Sequence, residues 1–237
     1  MQLRLLGAFG ALILSANTSA AVYHPDLTGP TLDPTLSFAG GGGFTYSTGP
    51  GGLGLYKAGG VVTGEARIRT TFTTAGDFVA KATVGRGALG NVGLDLAAYD
   101  ATIVDAASTT AFPGFNIFSN GPGDIQSYNI NGVATDTGSA ASEVTFELRR
   151  TGTLYESLLD GVVVNSGTYT AAHPFTFLLS LCAATCIAGN DAADRAGFVH
   201  DFRVTTPSVP EPASWALMVA GFGAVGIVAR RRRPVIA

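Results

Sequence analysis

Apolar and polar side chains alternate one by one along several short stretches of this chain. The alternation covers residues 66–72, 78–84, 94–98 and 143–149. A period of two residues indicates β-strands with one buried and one wet face, and no part of the body keeps the 3.6-residue period of a helix. Turn sequences such as Asp160-Gly161 separate the strands, and the glycine-rich stretches 40–43 and 49–52 predict loops in a looser N-terminal section. We therefore predict an all-β domain of about ten to fourteen strands, most simply a two-sheet sandwich.

Residues 1–20 predict a cleavable signal peptide. Arg4 supplies a positive charge, residues 5–14 form an apolar core, and small residues allow cleavage near Ala20 or Ala21. The alternative is an N-terminal membrane anchor, but the apolar core is too short to span a bilayer. The β-sandwich domain is then expected over residues 21–206.

Residues 207–237 form a third segment with a pattern of its own. Residues 213–229 carry no charge, and as a helix they would cover about 25 Å, enough for a single transmembrane helix. Four consecutive basic residues follow, namely Arg230, Arg231, Arg232 and Arg233. A basic cluster beside an apolar helix stays in the cytoplasm, so we expect a cytoplasmic C-terminus. On composition alone this tail is a plain C-terminal anchor.

The order of residues in the tail resembles the PEP-CTERM protein-sorting signal, in its variant with Trp-Ala after Pro-Glu-Pro. The sorting motif would consist of Pro210, Glu211, Pro212, Trp215 and Ala216. In that family an exosortase, a membrane-embedded cysteine protease-transpeptidase of Gram-negative bacteria that make extracellular polysaccharide, recognises the tail. The resemblance implies export across the inner membrane and a transient anchor with the arginine cluster as membrane stop. Display at the cell surface or release from the cell would follow.

The charge of the body limits its partners. Without Arg4 and the four tail arginines, 9 of the 14 basic residues remain, and without Glu211, 16 of the 17 acidic residues remain. The body therefore carries a net charge of about −7, which argues against nucleic acid or anionic lipid as a partner.

Three segments in the second half of the body resemble successive strands of a laminin-G or concanavalin A-like jelly roll. They are an Arg-x-Gly strand leading to Tyr155, an Asp-Gly hairpin at residues 160–164, and a closing Phe-x-x-Asp-Phe-type strand at residues 197–204. The resemblance implies a two-sheet jelly-roll sandwich. Its superfamily includes β-glucanases with two catalytic carboxylates on one strand, commonly as Glu-x-Asp-x-x-Glu.

That carboxylate triplet does not occur in this sequence. Glu143 and Glu147 share a strand face, but four residues of strand separate them by about 13 Å. Retaining glycosidases need a separation of about 5 Å. We expect both to lie on a solvated face next to Arg149, and we predict no catalytic residues.

The histidines do not form a metal site in the sequence. His24, His173 and His200 lack partners at ligand spacing, and we expect His200 to be hydrogen-bonded and partly buried on the face of Phe202 and Val204. No metal and no cofactor is predicted.

Residues 182–194 carry two further candidate features. Cys182 and Cys186 predict a small disulfide loop in an exported protein. Asn190, Asp191 and Asp194 form an acidic loop without the spacing of a defined calcium loop, so we expect a solvated loop.

Three functions remain open. The first is a non-catalytic surface or exopolysaccharide-matrix protein, sorted by an exosortase, whose body is a candidate for binding glycans. Tyr46, Tyr56 and Tyr128 lie near predicted loops and are candidates for stacking on sugars, although most such tyrosines cover core edges. The alternatives are a glycan-cleaving enzyme of the same fold and a self-associating structural matrix protein with a plain C-terminal anchor.

Overall fold

The structure is a computed structural model that describes residues 20–40, 43–57, 64–86, 94–101, 114–121, 124–128, 134–138, 143–183 and 195–207, with the single positions 219 and 222. These residues form fifteen β-strands, and those from Ala21 to Thr206 belong to one compact unit. In chain order the strands are β1 (Ala21–Tyr23), β2 (Leu36–Gly40), β3 (Phe44–Gly49), β4 (Gly52–Lys57), β5 (Gly64–Thr74), β6 (Phe78–Arg86), β7 (Leu94–Asp100), β8 (Gly114–Gly121), β9 (Asp124–Tyr128), β10 (Ala134–Gly138), β11 (Glu143–Thr151), β12 (Leu154–Leu159), β13 (Val162–Thr168), β14 (Phe175–Ala183) and β15 (Arg195–Thr206).

The two ends of the chain are largely outside these ranges. The predicted signal peptide apart from Ala20, and the predicted tail helix apart from Val219 and Phe222, lie outside the described residues. Within the described part of the chain, no helix is long and apolar enough to cross a membrane.

The strands pack as two antiparallel sheets. The eight-stranded sheet has the order β13-β12-β11-β6-β15-β4-β3, with β1 paired to the end of β15. The seven-stranded sheet has the order β10-β9-β8-β7-β14-β5-β2. Neighbours such as β6 and β15, or β5 and β14, are far apart in sequence, so the chain crosses repeatedly between the sheets. The predicted all-β, two-sheet jelly-roll fold is confirmed.

The core lies between the sheets and contains the apolar faces that the alternation predicts. Its members from those stretches are Ala66, Ile68, Phe78, Ala80, Ala82, Val84, Leu94, Leu96, Ala98, Val144, Phe146 and Leu148. The ring of Phe177 in β14 lies 5.0 Å from that of Phe78 in β6 and 6.4 Å from that of Phe202 in β15. Burying a phenylalanine side chain stabilises a fold by about 1.5–3 kcal/mol, so these contacts hold one sheet against the other.

The N-terminal section is more regular than predicted. It forms β2, β3 and β4, whose residues Leu36, Phe44, Leu53 and Leu55 are buried in the core. The strand total consequently exceeds the predicted range by one. The predicted loop at residues 49–52 is a two-residue turn across which Gly49 pairs with Gly52, so these glycines lie at strand ends and do not interrupt a strand.

The Asp160-Gly161 hairpin forms as predicted. Asp160 has a φ of 49° and Gly161 a φ of 81°, the left-handed pair that a tight two-residue turn requires. The Asp160 carboxylate also accepts a hydrogen bond from the Thr145 backbone N–H at 2.7 Å, which fixes the turn to β11.

Candidate functional site

The outer face of the seven-stranded sheet, turned away from the core, brings polar side chains from separate strands into one row. In the register of the sheet, Asp95 of β7 lies opposite Ser180 of β14, and Ser180 lies opposite Arg67 of β5. Residues that are directly opposite on antiparallel strands point to the same face. An acid, a hydroxyl and a guanidinium group therefore follow one another across three strands.

A second row runs beside the first. Asn116 of β8 lies opposite Ala97, and Arg69 of β5 lies opposite Leu178 of β14. The Asn116 side-chain amide donates to Oδ2 of Asp95 at 3.5 Å, which links the two rows. The Arg69 guanidinium donates to the backbone carbonyl of Ala101 at 3.4 Å.

Three buried residues form the floor of the two rows, and longer polar side chains lie around them. Ala97, Leu178 and Ser180 are buried, whereas Arg67, Arg69, Asp95, Tyr99 and Asn116 are half-buried. The Ser180 hydroxyl makes no hydrogen bond within the described part of the chain. Half-buried groups of this kind can donate and accept hydrogen bonds without large losses of side-chain freedom.

The described side chains of this face include one carboxylate, that of Asp95. The next two residues of β7 on the same face are Ala97 and Tyr99, which cannot serve as a second acid of the glycosidase type.

Sequence reasoning did not identify this face. The alternation placed Arg67 and Arg69 on the polar side of one strand and Asp95 on the polar side of another. This was the sequence evidence for a polar outer face. The register that brings them together joins β5 to β14 and β14 to β7, and these pairings are not local in the sequence.

Glu143 and Glu147 lie on the outer face of the other sheet, and the expected solvated face is wrong for Glu147. Glu143 is exposed, but Glu147 is only 2% exposed. Its carboxylate lies 2.8 Å from the Lys81 ammonium and 2.8 Å from the Arg149 guanidinium. The cause is lateral pairing, because β11 places Glu147 between Lys81 of β6 and Leu158 of β12.

The ion pairs also set the protonation of Glu147. Burial would raise the pKa of this carboxyl, but hydrogen bonds and charges from Lys81 and Arg149 outweigh it and hold the pKa below its usual range. Arg149 continues the network to Glu156 at 3.5 Å. A carboxyl kept ionised in this way has a structural role and is unsuited to act as a general acid.

His200 is hydrogen-bonded as expected, but its predicted partial burial is wrong. A β-bulge between Val199 and Asp201 shifts the register, so His200 does not share the face of Phe202. The His200 side chain is 40% exposed, and its Nδ1 lies 2.7 Å from the Gly51 carbonyl.

The other two histidines have different surroundings. His24 Nε2 lies 2.7 Å from Asp201 Oδ1, and His173 is exposed between β13 and β14. No group of three or more metal-ligating side chains occurs among the described residues.

The three candidate tyrosines differ in position. Tyr46 packs on Phe38 at the core edge, with 4.8 Å between ring centroids. Tyr56 lies on the outer face of the eight-stranded sheet, beside Phe198. Tyr128 belongs to β9, and its side chain is outside the described part.

Several predicted features cannot be placed. The residues outside the described ranges are Pro210, Glu211, Pro212, Trp215, Ala216, Arg230, Arg231, Arg232, Arg233, Cys186, Asn190, Asp191 and Asp194. Cys182 is the second-last residue of β14, and its side chain is outside the described part, so the disulfide stays a prediction.

Comparison with known proteins identifies the tail. The model of the PEP-CTERM protein-sorting motif matches residues 208–233. A comparison with curated protein sequences gives no match.

Solved structures identify the fold of the body. It is similar to the apo Crh5 transglycosylase, at 14% identity and a TM-score of 0.60, over 81% of this chain and 86% of that one. It is similar to a β-1,3-1,4-glucanase (lichenase) derived from a mouse hindgut metagenome, at 13% identity and 0.56, over 79% and 99%. A β-glucanase of Bacillus licheniformis matches at 13% identity and 0.55, over 78% and 98%. This chain thus combines a jelly-roll body of the concanavalin A-like kind with a PEP-CTERM protein-sorting motif.

Proposed function

We propose that this chain is a non-catalytic polysaccharide-binding protein of the cell surface or extracellular matrix, delivered there by exosortase processing. The match of residues 208–233 to the sorting motif carries the proposal, since that signal implies export and surface display. In this account a signal peptide starts export. The helix 213–229 then holds the chain in the inner membrane with the C-terminus in the cytoplasm, until the exosortase acts.

The outer face of the seven-stranded sheet is the proposed binding surface. Sugar hydroxyls both donate and accept hydrogen bonds, and Asp95, Asn116 and the two arginines of β5 offer both kinds of partner on one sheet face. Tyr99 adds a half-buried ring at the same face. The likeness to glycan-active enzymes in fold supports this assignment.

Binding without cleavage is supported by the sequence, which lacks the Glu-x-Asp-x-x-Glu triplet of the β-glucanases. The competing proposal is a glycan-cleaving enzyme, which the fold of the similar structures favours. Incubation with β-glucans separates the two, because a binding protein releases no reducing ends and a hydrolase does.

Replacement of the sorting motif tests delivery. With Pro210, Glu211 and Pro212 all changed to alanine, the unprocessed membrane form should accumulate in the producing bacterium, as followed by immunoblot of membrane and medium fractions. Pro207→Ala, just outside the matched residues, is the control and should be processed normally. Normal processing of the triple variant would reject recognition by an exosortase and leave a plain anchor.

A further inference from the structure

The outer face of the eight-stranded sheet carries a second set of side chains suited to a ligand. Phe198 of β15 lies opposite Gly54 of β4 on one side and opposite Gly85 of β6 on the other. Phe198 thus has no side chain directly beside it in either neighbouring strand. The Phe198 ring itself is half-buried.

Two further rings occupy the space over these glycines. A Cβ at Gly54 would overlap the hydroxyl end of the Tyr56 ring, and a Cβ at Gly85 would lie 2.5 Å from Nε2 of His200. Tyr56 and Phe198 stand at 83° to each other with 5.8 Å between centroids. We call Tyr56, Phe198 and His200 the ring cluster, and the two glycines are what allow its outer rings to approach the sheet so closely.

Polar groups surround the ring cluster. The Ser47 hydroxyl donates to the Tyr56 hydroxyl at 3.0 Å. Because the Gly51 carbonyl only accepts, Nδ1 of His200 donates in this 2.7 Å contact. Nε2 of the same ring lies 3.7 Å from the carboxylate of Glu143, which is exposed.

We propose that the ring cluster is a second polysaccharide-binding site, which takes a neutral hexose segment. A pyranose presents an apolar C–H face and a rim of hydroxyls, which match aromatic rings bordered by a hydroxyl, an imidazole and a carboxylate. The described groups around the rings include a carboxylate and no lysine or arginine, which disfavours an anionic segment.

The two sites lie on opposite outer faces of one sandwich, so one molecule can bind two chains and cross-link them. The ligand class rests on the proposed function, whereas the place of the second site rests on the ring cluster. Bivalent binding gives a property that single-site binding cannot, namely a maximum of cross-linking at an intermediate ratio of protein to polysaccharide.

The test mixes the full chain, purified in detergent, with extracellular polysaccharide extracted from cultures of the producing bacterium. Light scattering is recorded over a range of ratios, and binding is measured separately by co-sedimentation. Wild type should show a light-scattering maximum at an intermediate ratio. The Phe198→Ala and Phe198→Leu variants should still co-sediment with the polysaccharide, but the height of their light-scattering maximum should be about fivefold lower. Val162→Ala, which shortens an exposed apolar side chain of β13 outside the cluster, should keep the wild-type curve.

Each other result decides against one of the two proposals. An unchanged maximum in both Phe198 variants overturns the second site. Failure of wild type to co-sediment overturns the proposed function itself. If the Phe198 variants change the sedimentation coefficient in the absence of polysaccharide, the ring cluster is a contact between copies of this chain, and the glycan site is rejected.

Discussion

Glu147 is a buried acid on the outer face of the eight-stranded sheet. Its ion pairs with Lys81 and Arg149 lower its pKa relative to the unfolded chain. The ionised carboxylate therefore stabilises the fold at pH values above its unfolded pKa, and this contribution disappears as the pH falls through the lower folded-state pKa.

We expect Glu147→Gln to lower the free energy of unfolding at pH 7 by about 1–3 kcal/mol, because two charge-assisted bonds lose their charge. The difference from wild type should shrink as the pH falls below about 4. Urea unfolding at several pH values measures both effects. Glu143→Gln, on the same strand but exposed, is the control and should change stability little. A loss that stayed constant down to pH 3 would contradict the ion-pair account.

Two buried hydroxyls of β14 should respond in opposite ways to removal. The Thr176 hydroxyl donates to the Thr70 carbonyl at 3.0 Å, so Thr176→Val should cost about 1 kcal/mol of unfolding free energy. Ser180→Ala removes a hydroxyl that has no partner in the described part of the chain, so it should be neutral or stabilising. Chemical denaturation compares them, and a larger loss for Ser180→Ala than for Thr176→Val would disprove this reasoning.

At the scale of elements, the strands in the middle of the chain follow directly from their alternation, but irregular elements do not. The N-terminal strands have only two or three apolar positions between glycines, so turn chemistry dominates their local sequence. The His200 side chain at the bulge contacts Gly51 in the turn before β4 and lies over Gly85 of β6, and no feature within β15 itself indicates the bulge.

A substitution in the turn between β12 and β13 tests whether this turn requires a left-handed backbone conformation. Gly161 has a φ of 81°, where an added Cβ costs about 1–2 kcal/mol, so Gly161→Ala should lower the unfolding temperature. Gly76→Ala is the matched control, since its Cβ would meet open space at a φ outside the left-handed region. Differential scanning calorimetry should show that control to be neutral or slightly stabilised. Equal losses in both variants would argue against the turn geometry.

The predicted disulfide would join Cys182, near the end of β14, to Cys186, which follows that strand. Both Cys182 and Cys186 should resist alkylation in the absence of reductant, as intact mass reports. The bond should stabilise the fold by about 2 kcal/mol, since it closes a short loop. Two alkylated thiols would refute it.

At the scale of the whole molecule, the sequence indicated the fold class and the sorting motif but not the binding face. The alternation of apolar and polar residues and the turn residues are local patterns, so they can be recognised in the sequence alone. The juxtaposition of Asp95, Ser180 and Arg67 depends on which strands pair, and those pairings are set by the packing of the complete core.

The proposed binding surface is tested by isothermal titration calorimetry, which measures the affinity of the full chain for extracellular polysaccharide of the producing bacterium. Wild type should bind, and Arg67→Ala and Arg69→Ala should each weaken binding by about tenfold or more, as expected for lost hydrogen bonds from a charged group. Arg203→Ala, on the outer face of the other sheet, should bind like wild type. Absence of wild-type binding, or full affinity in both β5 variants, would contradict the account.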